Sequence, residues 1–302
     1  MKVTTIGTAL VDIYFSSHDF MLKKNQGTVY LCQAYGHKIE IDEHHLTTGG
    51  AASNCAVAFA LRGHEVGIIA ELGQDDFATI IQDELRAHHI DTSHLIVEPQ
   101  ESTGCSVILR GSDGGRTIMV SRSASAMLDD YDIDLDYLAS RDWLYLSSLG
   151  GSLNALAEIW QVFSLNAQLG FTWNPGKNEL AALISGKLPL PPVKAESIFV
   201  VNESEWQQVK ALKEQILAAF KYVVVTAGRQ TGQVFVAGEL AAPIAPSNKP
   251  AFEETGAGDA FGSAFSSTIM YGRSLKEAIE AGINNAQSVI DYIGAKKGLL
   301  AF

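Results

Sequence analysis

Short apolar runs alternate with segments of helical periodicity along most of the chain. We predict buried strands at 65–72, 143–149, 170–173, 198–201, 222–226 and 233–237. Apolar residues recur at helical spacing in the segments between and after them, which predicts helices at 55–60, 77–85, 153–167, 203–220, 259–271 and 275–292. Strands that alternate with helices are typical of a parallel sheet. The pattern therefore predicts an α/β fold, with a central, mostly parallel sheet flanked by helices.

Residues 103–121 interrupt this alternation. Two apolar runs flank the Gly-rich segment 111–115, which predicts an antiparallel hairpin outside the main sheet. The first strand is expected to begin at Val3 and to end near Asp12, and weaker strands are expected over 30–41. We expect one domain over residues 1–302, with a small β lid built from segments at about 12–17, 30–41 and 103–122.

Composition limits the function classes that need to be considered. The 302 residues are 47% hydrophobic and 19% charged, which is ordinary globular composition. A net charge of −12 argues against binding to nucleic acid or to an anionic membrane surface. The three cysteines form no C-x-x-C pair, and no apolar stretch approaches the ~18 residues of a membrane span. We expect a soluble, cytoplasmic protein without a signal peptide.

The segment 253–262 combines small residues with a carboxylate and then an apolar helical face. Gly256, Ala257 and Gly258 carry little or no side chain, and free amide groups at a helix N-terminus favour a phosphate. Asp259 would repel that anion, so its presence indicates a general base that takes a proton from an attacking hydroxyl. The alternative is an ordinary Gly-rich turn whose helix has an acidic first turn.

Polar residues follow two of the predicted strands at the edge where open α/β sheets bind ligands. Asn202 and Glu205 come directly after the strand 198–201, and Glu205 could help to hold Mg²⁺. These two residues could equally form a capping box that begins a helix. Thr226 and Gly228 follow the next strand and could line a nucleotide site or form a plain turn.

A second polar set lies near the start of the chain. Asp12, the pair Gly49 and Gly50, and Asn54 provide a carboxylate, two close-approach positions and an amide, which together suit a polyhydroxylated ligand. Taken singly, each of them is more often part of a turn or a cap.

Several other motifs are absent or weak. No segment matches the P-loop pattern, and Phe261 stands where a dinucleotide fingerprint requires its third glycine. Adjacent histidines, as in His44-His45, diverge in direction and make a poor metal site. Arg110 and Arg116 could solvate the hairpin; if they turned inward, the substrate would be expected to carry a phosphate already.

Four stretches occur in an order that resembles the ribokinase-like (PfkB) sugar kinase family over nearly the whole chain. They are Gly49-Gly50-x-x-x-Asn54, Asn202-x-x-Glu205, Thr226-x-Gly228-x-x-x-Gly232 and Thr255-Gly256-Ala257-Gly258-Asp259-Ala260-Phe261. The resemblance implies a ribokinase-like fold with a β lid that often forms a homodimer. It also implies ATP- and Mg²⁺-dependent phosphorylation of an alcohol group on a small substrate.

The resemblance also implies roles for individual residues. Asp259 would be the catalytic base, and the amides of Gly256, Ala257 and Gly258 would stabilise the transferred phosphoryl group. On the nucleotide side, Asn202 and Glu205 would organise Mg²⁺ through water, while Thr226, Gly228 and Asn285 would line the ATP site. On the acceptor side, Asp12, Gly50 and Asn54 would bind substrate hydroxyls.

Three departures from the family pattern bear on cofactor and substrate. Glu253 and Glu254 replace the Asp-Thr that often precedes the core motif, so the resemblance does not carry a monovalent-cation site over to this chain. Ala51 replaces the lysine typical of true ribokinases, and the stretch 123–126 lacks the Gly-Ala-Asn of many relatives. We therefore expect an unphosphorylated sugar, sugar acid or nucleoside before ribose or a sugar phosphate. The rival hypotheses are a catalytically silent sensor and an NAD-dependent dehydrogenase.

Overall fold

A computed structural model describes residues 1–111, 113, 115–247, 249 and 252–302. One predicted segment, the hairpin loop 111–115, lies partly outside these residues. The strands are β1 (Lys2–Ile6), β2 (Leu10–Ser16), β3 (Met21–Asn25), β4 (Thr28–Cys32), β5 (Glu43–Gly49), β6 (Glu65–Gly73), β7 (Leu95–Glu98), β8 (Cys105–Arg110), β9 (Arg116–Ser121), β10 (Trp143–Leu146), β11 (Gly170–Trp173), β12 (Ser197–Asn202), β13 (Tyr222–Thr226), β14 (Gly232–Val236) and β15 (Glu239–Ile244). The helices are α1 (Ala51–Leu61), α2 (Asp76–Ala87), α3 (Leu135–Ala139), α4 (Leu153–Leu165), α5 (Lys177–Ile184), α6 (Glu203–Gln208), α7 (Lys213–Ala219), α8 (Ala257–Met270) and α9 (Leu275–Val289).

Nine strands form the main sheet, in the order β15-β14-β13-β12-β11-β10-β1-β6-β7. All neighbouring pairs from β13 to β7 are parallel, and β14 and β15 add antiparallel strands at one edge. The predicted α/β fold with a mostly parallel sheet is therefore confirmed. Because parallel strands place their carboxyl ends at the same edge, the ends of β12 and β13 bring Asn202 and Thr226 side by side.

Helices cover both faces of this sheet and bury two apolar layers. On one face α4 contributes Leu156 and Phe163, and α6 contributes Trp206. On the other face α1 contributes Phe59 and α8 contributes Phe265. The second layer supports the site, since it fixes the starts of α1 and α8 against the same face of the sheet.

A second, four-stranded sheet has the order β5-β2-β8-β9, and within the part of the chain that the structure describes β3 pairs only with β4. The predicted hairpin at 103–121 is confirmed as β8 and β9, which pair antiparallel outside the main sheet. Asp12 does not end the first strand as predicted. The first strand, β1, ends at Ile6, and Asp12 lies inside the second strand, β2. The second sheet therefore contributes the Asp12 carboxylate.

The expected strands over 30–41 are largely wrong. Only the last residues of β4 fall in this segment, and residues 33–42 contain no strand. The fourth strand of the second sheet is β5 instead, which lacks the apolar alternation of a buried strand because its first residues are exposed. Pairing with β2 over seven residues, from Leu10↔Gly49 to Ser16↔Glu43, defines this strand.

The single helix predicted over 203–220 is also wrong, because α6 and α7 are separated by a 3₁₀ turn at Lys210–Leu212. Trp206 and Ile216 are both buried in the same apolar layer. The first helix ends before Val209, whose φ of −91° and ψ of 16° are not α-helical, and α-helical geometry resumes at Lys213.

The segments of the chain that the structure describes include no helix long and apolar enough to cross a bilayer.

Candidate active site

The N-terminus of α8 is open on one side and closely packed on the other. Gly256 precedes the helix with a left-handed φ of 79°, and a Cβ at this position would lie 2.3 Å from Cβ of Ala295. Gly258 differs, because outside its chain neighbours and the backbone of its own helix no atom of the described residues lies within 4 Å of the position that its Cβ would take. Glycine is therefore required at 256 by conformation and packing, whereas Gly258 leaves space in which a ligand can reach the backbone.

The amide groups at this end of α8 are available to a ligand. The first helical hydrogen bond of the turn runs from the amide of Ala260 to the carbonyl oxygen of Gly256, at 2.8 Å. Among the described residues no side chain caps the helix. The amides of Gly258 and Asp259 precede the first residue with an intrahelical acceptor, and they lie at the positive end of the helix dipole. This is the arrangement that binds phosphate groups.

A pocket with a cavity volume of about 150 Å³ opens beside this helix start. The predicted nucleotide residues Thr226 and Gly228 line it, together with Ala257 and Gly258 of the predicted anion cradle. The sequence did not single out the residues that complete the lining, which are Ala227, Gln230, Ile244, Ala245, Ser247, Phe261, Ile283, Ala286 and Gln287. The mostly apolar walls and the few polar groups resemble those of a small-molecule site.

Asn285 does not line this pocket, contrary to the prediction. Its side-chain amide donates to the carbonyl oxygen of Ala260 at 2.7 Å, and its Oδ1 accepts from the amide of Leu300 at 2.8 Å. The residue is buried, so these contacts satisfy its polar groups inside the protein. On a helix the neighbouring positions diverge in direction, and from α9 it is Ile283, Ala286 and Gln287 that line the pocket.

The predicted base lies on the side of the helix start that faces α1. Asn54 donates from Nδ2 to Oδ2 of Asp259 at 2.8 Å, across 205 residues of sequence. Burial raises the pKa of Asp259, whereas the hydrogen bond from Asn54 and the charge of Lys296 lower it. Asp259 and Asn54, predicted separately as base and substrate residue, are therefore in direct contact.

Asp12 provides a second buried carboxylate on the acceptor side. Its pKa is raised to about 6, chiefly by burial and to a lesser extent by the charges of Glu253 and Asp259, against the lowering effects of a hydrogen bond with Ser106 and the charge of Lys296. Gly49 packs directly against it, since a Cβ there would lie 2.1 Å from Oδ2 of Asp12. Gly50, with a φ of 89°, packs in the same way on the carbonyl oxygen of Thr8. The paired glycines thus bring the start of α1 close to β2.

Asn202 and Glu205 form the capping box that was one of their two predicted roles. Oδ1 of Asn202 accepts from the amide of Glu205 at 2.9 Å, and the amide of Asn202 donates to Oε2 of Glu205 at 2.8 Å. Burial raises the pKa of Glu205, against the lowering effect of Asn202. The box fixes Oε2, which leaves Oε1 for a ligand. A role in holding Mg²⁺ stays a prediction.

Glu253 has a role that the sequence did not indicate. Its buried carboxylate accepts from the amide and the hydroxyl of Thr255, at 3.0 and 2.7 Å, and pairs with Nη1 of Arg116 at 3.1 Å. Arg110 lies over the ring of Phe252, 4.1 Å from its centroid. Two arginines of the β8–β9 hairpin therefore hold the segment that leads into α8, and Arg116 already has a carboxylate partner.

Lys296 was also missed. Its ammonium group is buried and donates to Thr48, Ser53 and Glu84, all within 2.6 Å. These partners precede it by more than 200 residues, so no local motif could reveal the site. Within the described residues there is no cluster of three or more His, Cys, Asp or Glu side chains that could hold a metal ion by itself.

Comparison with known proteins assigns the chain to a family. The family model described as "pfkB family carbohydrate kinase" matches residues 2–300. The ribokinase of Staphylococcus aureus (strain COL) is 25% identical over 260 residues, which cover 83% of this chain and 84% of that protein.

Two solved structures share the fold at low sequence identity. A putative ribokinase II from E. coli, in complex with ATP and Mg²⁺, has a TM-score of 0.75 and 20% identity over 99% of this chain and 96% of that one. The adenosine kinase of Sinorhizobium meliloti has a TM-score of 0.73 and 20% identity over 99% of this chain and 97% of that one. With the family model spanning almost the whole sequence, the chain belongs to the pfkB family of carbohydrate kinases.

Proposed function

We propose that this kinase transfers the terminal phosphoryl group of ATP to a hydroxyl of an unphosphorylated sugar or nucleoside, with Asp259 as the general base. The observation that carries the proposal is the position of Asp259. It lies at the open N-terminus of α8, between the pocket lined by Thr226 and Gly228 and the acceptor side formed by Asp12 and Asn54.

The pocket beside α8 suits a nucleotide. Its apolar walls can hold the adenine ring of ATP, and the free backbone amides of Gly258 and Asp259 can hold the phosphates. The solved relative with bound ATP and Mg²⁺ supports this choice of donor. Glu205 would hold Mg²⁺ through water, and the bound ion would offset the charge of the phosphates.

On the acceptor side the carboxylates position and activate a hydroxyl. Asp12 can accept a hydrogen bond from one substrate hydroxyl, and Asp259 can take the proton of the hydroxyl that attacks phosphorus. Asn54 fixes the orientation of the Asp259 carboxylate. The amides of α8 then stabilise charge on the transferred group.

The charges on this side favour an acceptor without a phosphate. Asp12, Glu253 and Asp259 are acidic, and the two cations that act on these carboxylates have carboxylate partners: Arg116 pairs with Glu253, and Lys296 pairs with Glu84. An anionic substrate would meet repulsion from the three carboxylates, and these two cations are already paired.

Apolar side chains of β9 favour an acceptor with a hydrophobic ring. Residues directly paired across a sheet point to the same face, and the pairs Asp12↔Ser106 and Ser106↔Val120 place Val120 on the face of Asp12. Ile118 lies on that face as well, and these two side chains are 44% and 48% exposed. A nucleobase could cover them, which supports nucleosides as the first acceptors to test.

Release of ADP over a panel of acceptors tests the proposed substrate class. We expect Mg²⁺-dependent turnover with nucleosides or neutral sugars, and much less with sugar acids and sugar phosphates. Faster turnover with a sugar phosphate would overturn the charge argument. Binding of ATP without turnover on any member of the panel would support a silent sensor instead.

Replacing the base should abolish catalysis without abolishing nucleotide binding. We expect Asp259→Asn to lower kcat about 10²–10⁴-fold, since the amide cannot accept the proton, while the dissociation constant for ATP changes little. Asp76→Asn is the matched control, because Asp76 is an exposed acid in the first turn of α2. Turnover of Asp259→Asn at the rate of this control would remove Asp259 from the role of base.

Gly258 provides a test of the anion cradle that leaves the fold in place. Outside its chain neighbours and the backbone of its own helix, valine at this position meets no atom of the described residues within 4 Å of its Cβ, so we expect the free energy of unfolding to change by less than about 1 kcal/mol. The side chain would occupy the space where the phosphates bind, and ATP affinity should fall at least tenfold, about 1.4 kcal/mol. Calorimetric titration with ATP measures the effect. Unchanged affinity would mean that the phosphates bind elsewhere.

The second sheet also offers a surface for a homodimer. Its face opposite Asp12 carries an apolar row, in which Leu46 pairs with Ile13, Ile13 with Val107 and Val107 with Met119. Leu46 and Met119 are 47% and 52% exposed at the two ends of this row. We propose that a second copy of the chain covers this face.

Light scattering measures the assembly. We expect the unmodified protein at twice the mass of the chain, and Met119→Lys at the mass of one chain in the same concentration range. Leu240→Lys is the control, because Leu240 is an exposed apolar residue on β15 at the far edge of the main sheet. A monomer in the unmodified protein, or a dimer that survives Met119→Lys, would exclude this interface.

A further inference from the structure

Lys296 is a buried cation, and three hydrogen-bond partners hold its ammonium group in place. Only 8% of its side chain is exposed. The ammonium group donates to the hydroxyls of Thr48 and Ser53, both at 2.6 Å, and to Oε2 of Glu84 at 2.5 Å. An ammonium group has three donors, so each of them is satisfied.

These partners lie next to residues of the proposed site. Thr48 directly precedes the paired glycines, and Ser53 directly precedes Asn54, the partner of Asp259. On the other side of the lysine, Ala295 packs against Gly256 at the start of α8. Lys296 therefore ties the end of β5, the start of α1 and α2 to the loop that supports the anion cradle.

The charge of Lys296 also acts on both acceptor carboxylates, because it lowers the pKa of Asp12 and that of Asp259. Burial lowers the pKa of Lys296 itself, and Glu84, Asp12 and Asp259 raise it. The other groups that face Asp259 are Cys55 on α1 and Tyr145 on β10, and burial raises the pKa of each well above its usual value. These two groups are neutral at physiological pH, so the positive charge that acts on Asp259 comes from Lys296.

We propose that Lys296 is a positioning residue that keeps the Asp259 base ionised at neutral pH and holds Asn54 against it. This inference rests on the proposed role of Asp259 in phosphoryl transfer. Glu84 is part of the same device, because its carboxylate accepts from Lys296 and from the hydroxyl of Thr48. Lys296 touches no reacting atom in this scheme and acts through Asp259.

The pH dependence of turnover distinguishes this role from a purely structural one. A base works only when deprotonated, so activity falls as pH drops through its pKa. Removing the nearby positive charge raises that pKa, and we expect Lys296→Met to move the acid limb of the kcat profile upward by about one pH unit. Turnover lost at pH 6 should then be largely regained at pH 9. A loss that is the same at every pH would assign Lys296 to the fold alone and overturn the proposal.

Lys297→Met is the matched control. It removes the same charge one residue away, where the ammonium group is exposed and lies 5.2 Å from the centroid of the Tyr292 ring. We expect its acid limb to coincide with that of the unmodified protein. A comparable shift in this control would mean that net charge, and not the buried ammonium, sets the profile.

A double variant controls for misfolding, and an NMR titration tests the inference independently of turnover. Lys296→Met combined with Glu84→Gln removes both members of the ion pair, so the Glu84 carboxylate is not left without its partner. ¹³C NMR of the Asp carboxyl groups, with Asp259 assigned through Asp259→Asn, titrates the base without requiring turnover. A raised pKa of Asp259 in both Lys296 variants supports the proposal even if no acceptor in the panel is phosphorylated. An unchanged titration in folded protein would reject it, whatever the activity.

Discussion

Crowding of carboxylates at the acceptor side is the constraint on which the site depends. Asp12, Glu253 and Asp259 lie close enough for Glu253 and Asp259 to raise the pKa of Asp12. Like charges removed from water are stable only with nearby cations or hydrogen-bond donors. Each carboxylate is therefore matched by a group from another part of the chain.

These compensating contacts join elements that are distant in sequence. Arg116 connects the second sheet to Glu253, and Asn54 connects α1 to Asp259. Lys296 brings the C-terminal loop against β5, α1 and α2. The same few contacts therefore compensate the buried negative charge of the site and hold the surrounding elements together. Changes in this region should affect stability and chemistry together.

Local patterns were sufficient for the main elements of the fold and for the start of α8. Buried strands such as β13 are almost entirely apolar, and the small residues Gly256 to Gly258 followed by an apolar helical face indicate a helix start. Exposed strands carry no such signal. The strand β5 was missed because its exposed residues Glu43 to Leu46 show no apolar alternation, and its pairing with β2 is a long-range contact.

Long-range contacts also explain the errors at the site. Asn285 is a buried amide whose partners, Ala260 and Leu300, lie on other segments, and nothing in its neighbours tells which face of α9 reaches the pocket. Lys296 directly precedes the exposed Lys297, and the local sequence does not distinguish one lysine from the other. Only packing makes one of them a buried cation near a base.

The geometry of α8 resolves the objection that a carboxylate in an anion site repels the anion. Successive residues of a helix diverge by roughly 100°, so Gly258 and Asp259 point in different directions from the same turn. The open side of Gly258 faces the nucleotide pocket, whereas the Asp259 carboxylate faces Asn54. The helix dipole favours negative charge at both positions. One helix start can therefore hold phosphates on one side and a base on the other, with the reacting hydroxyl between them.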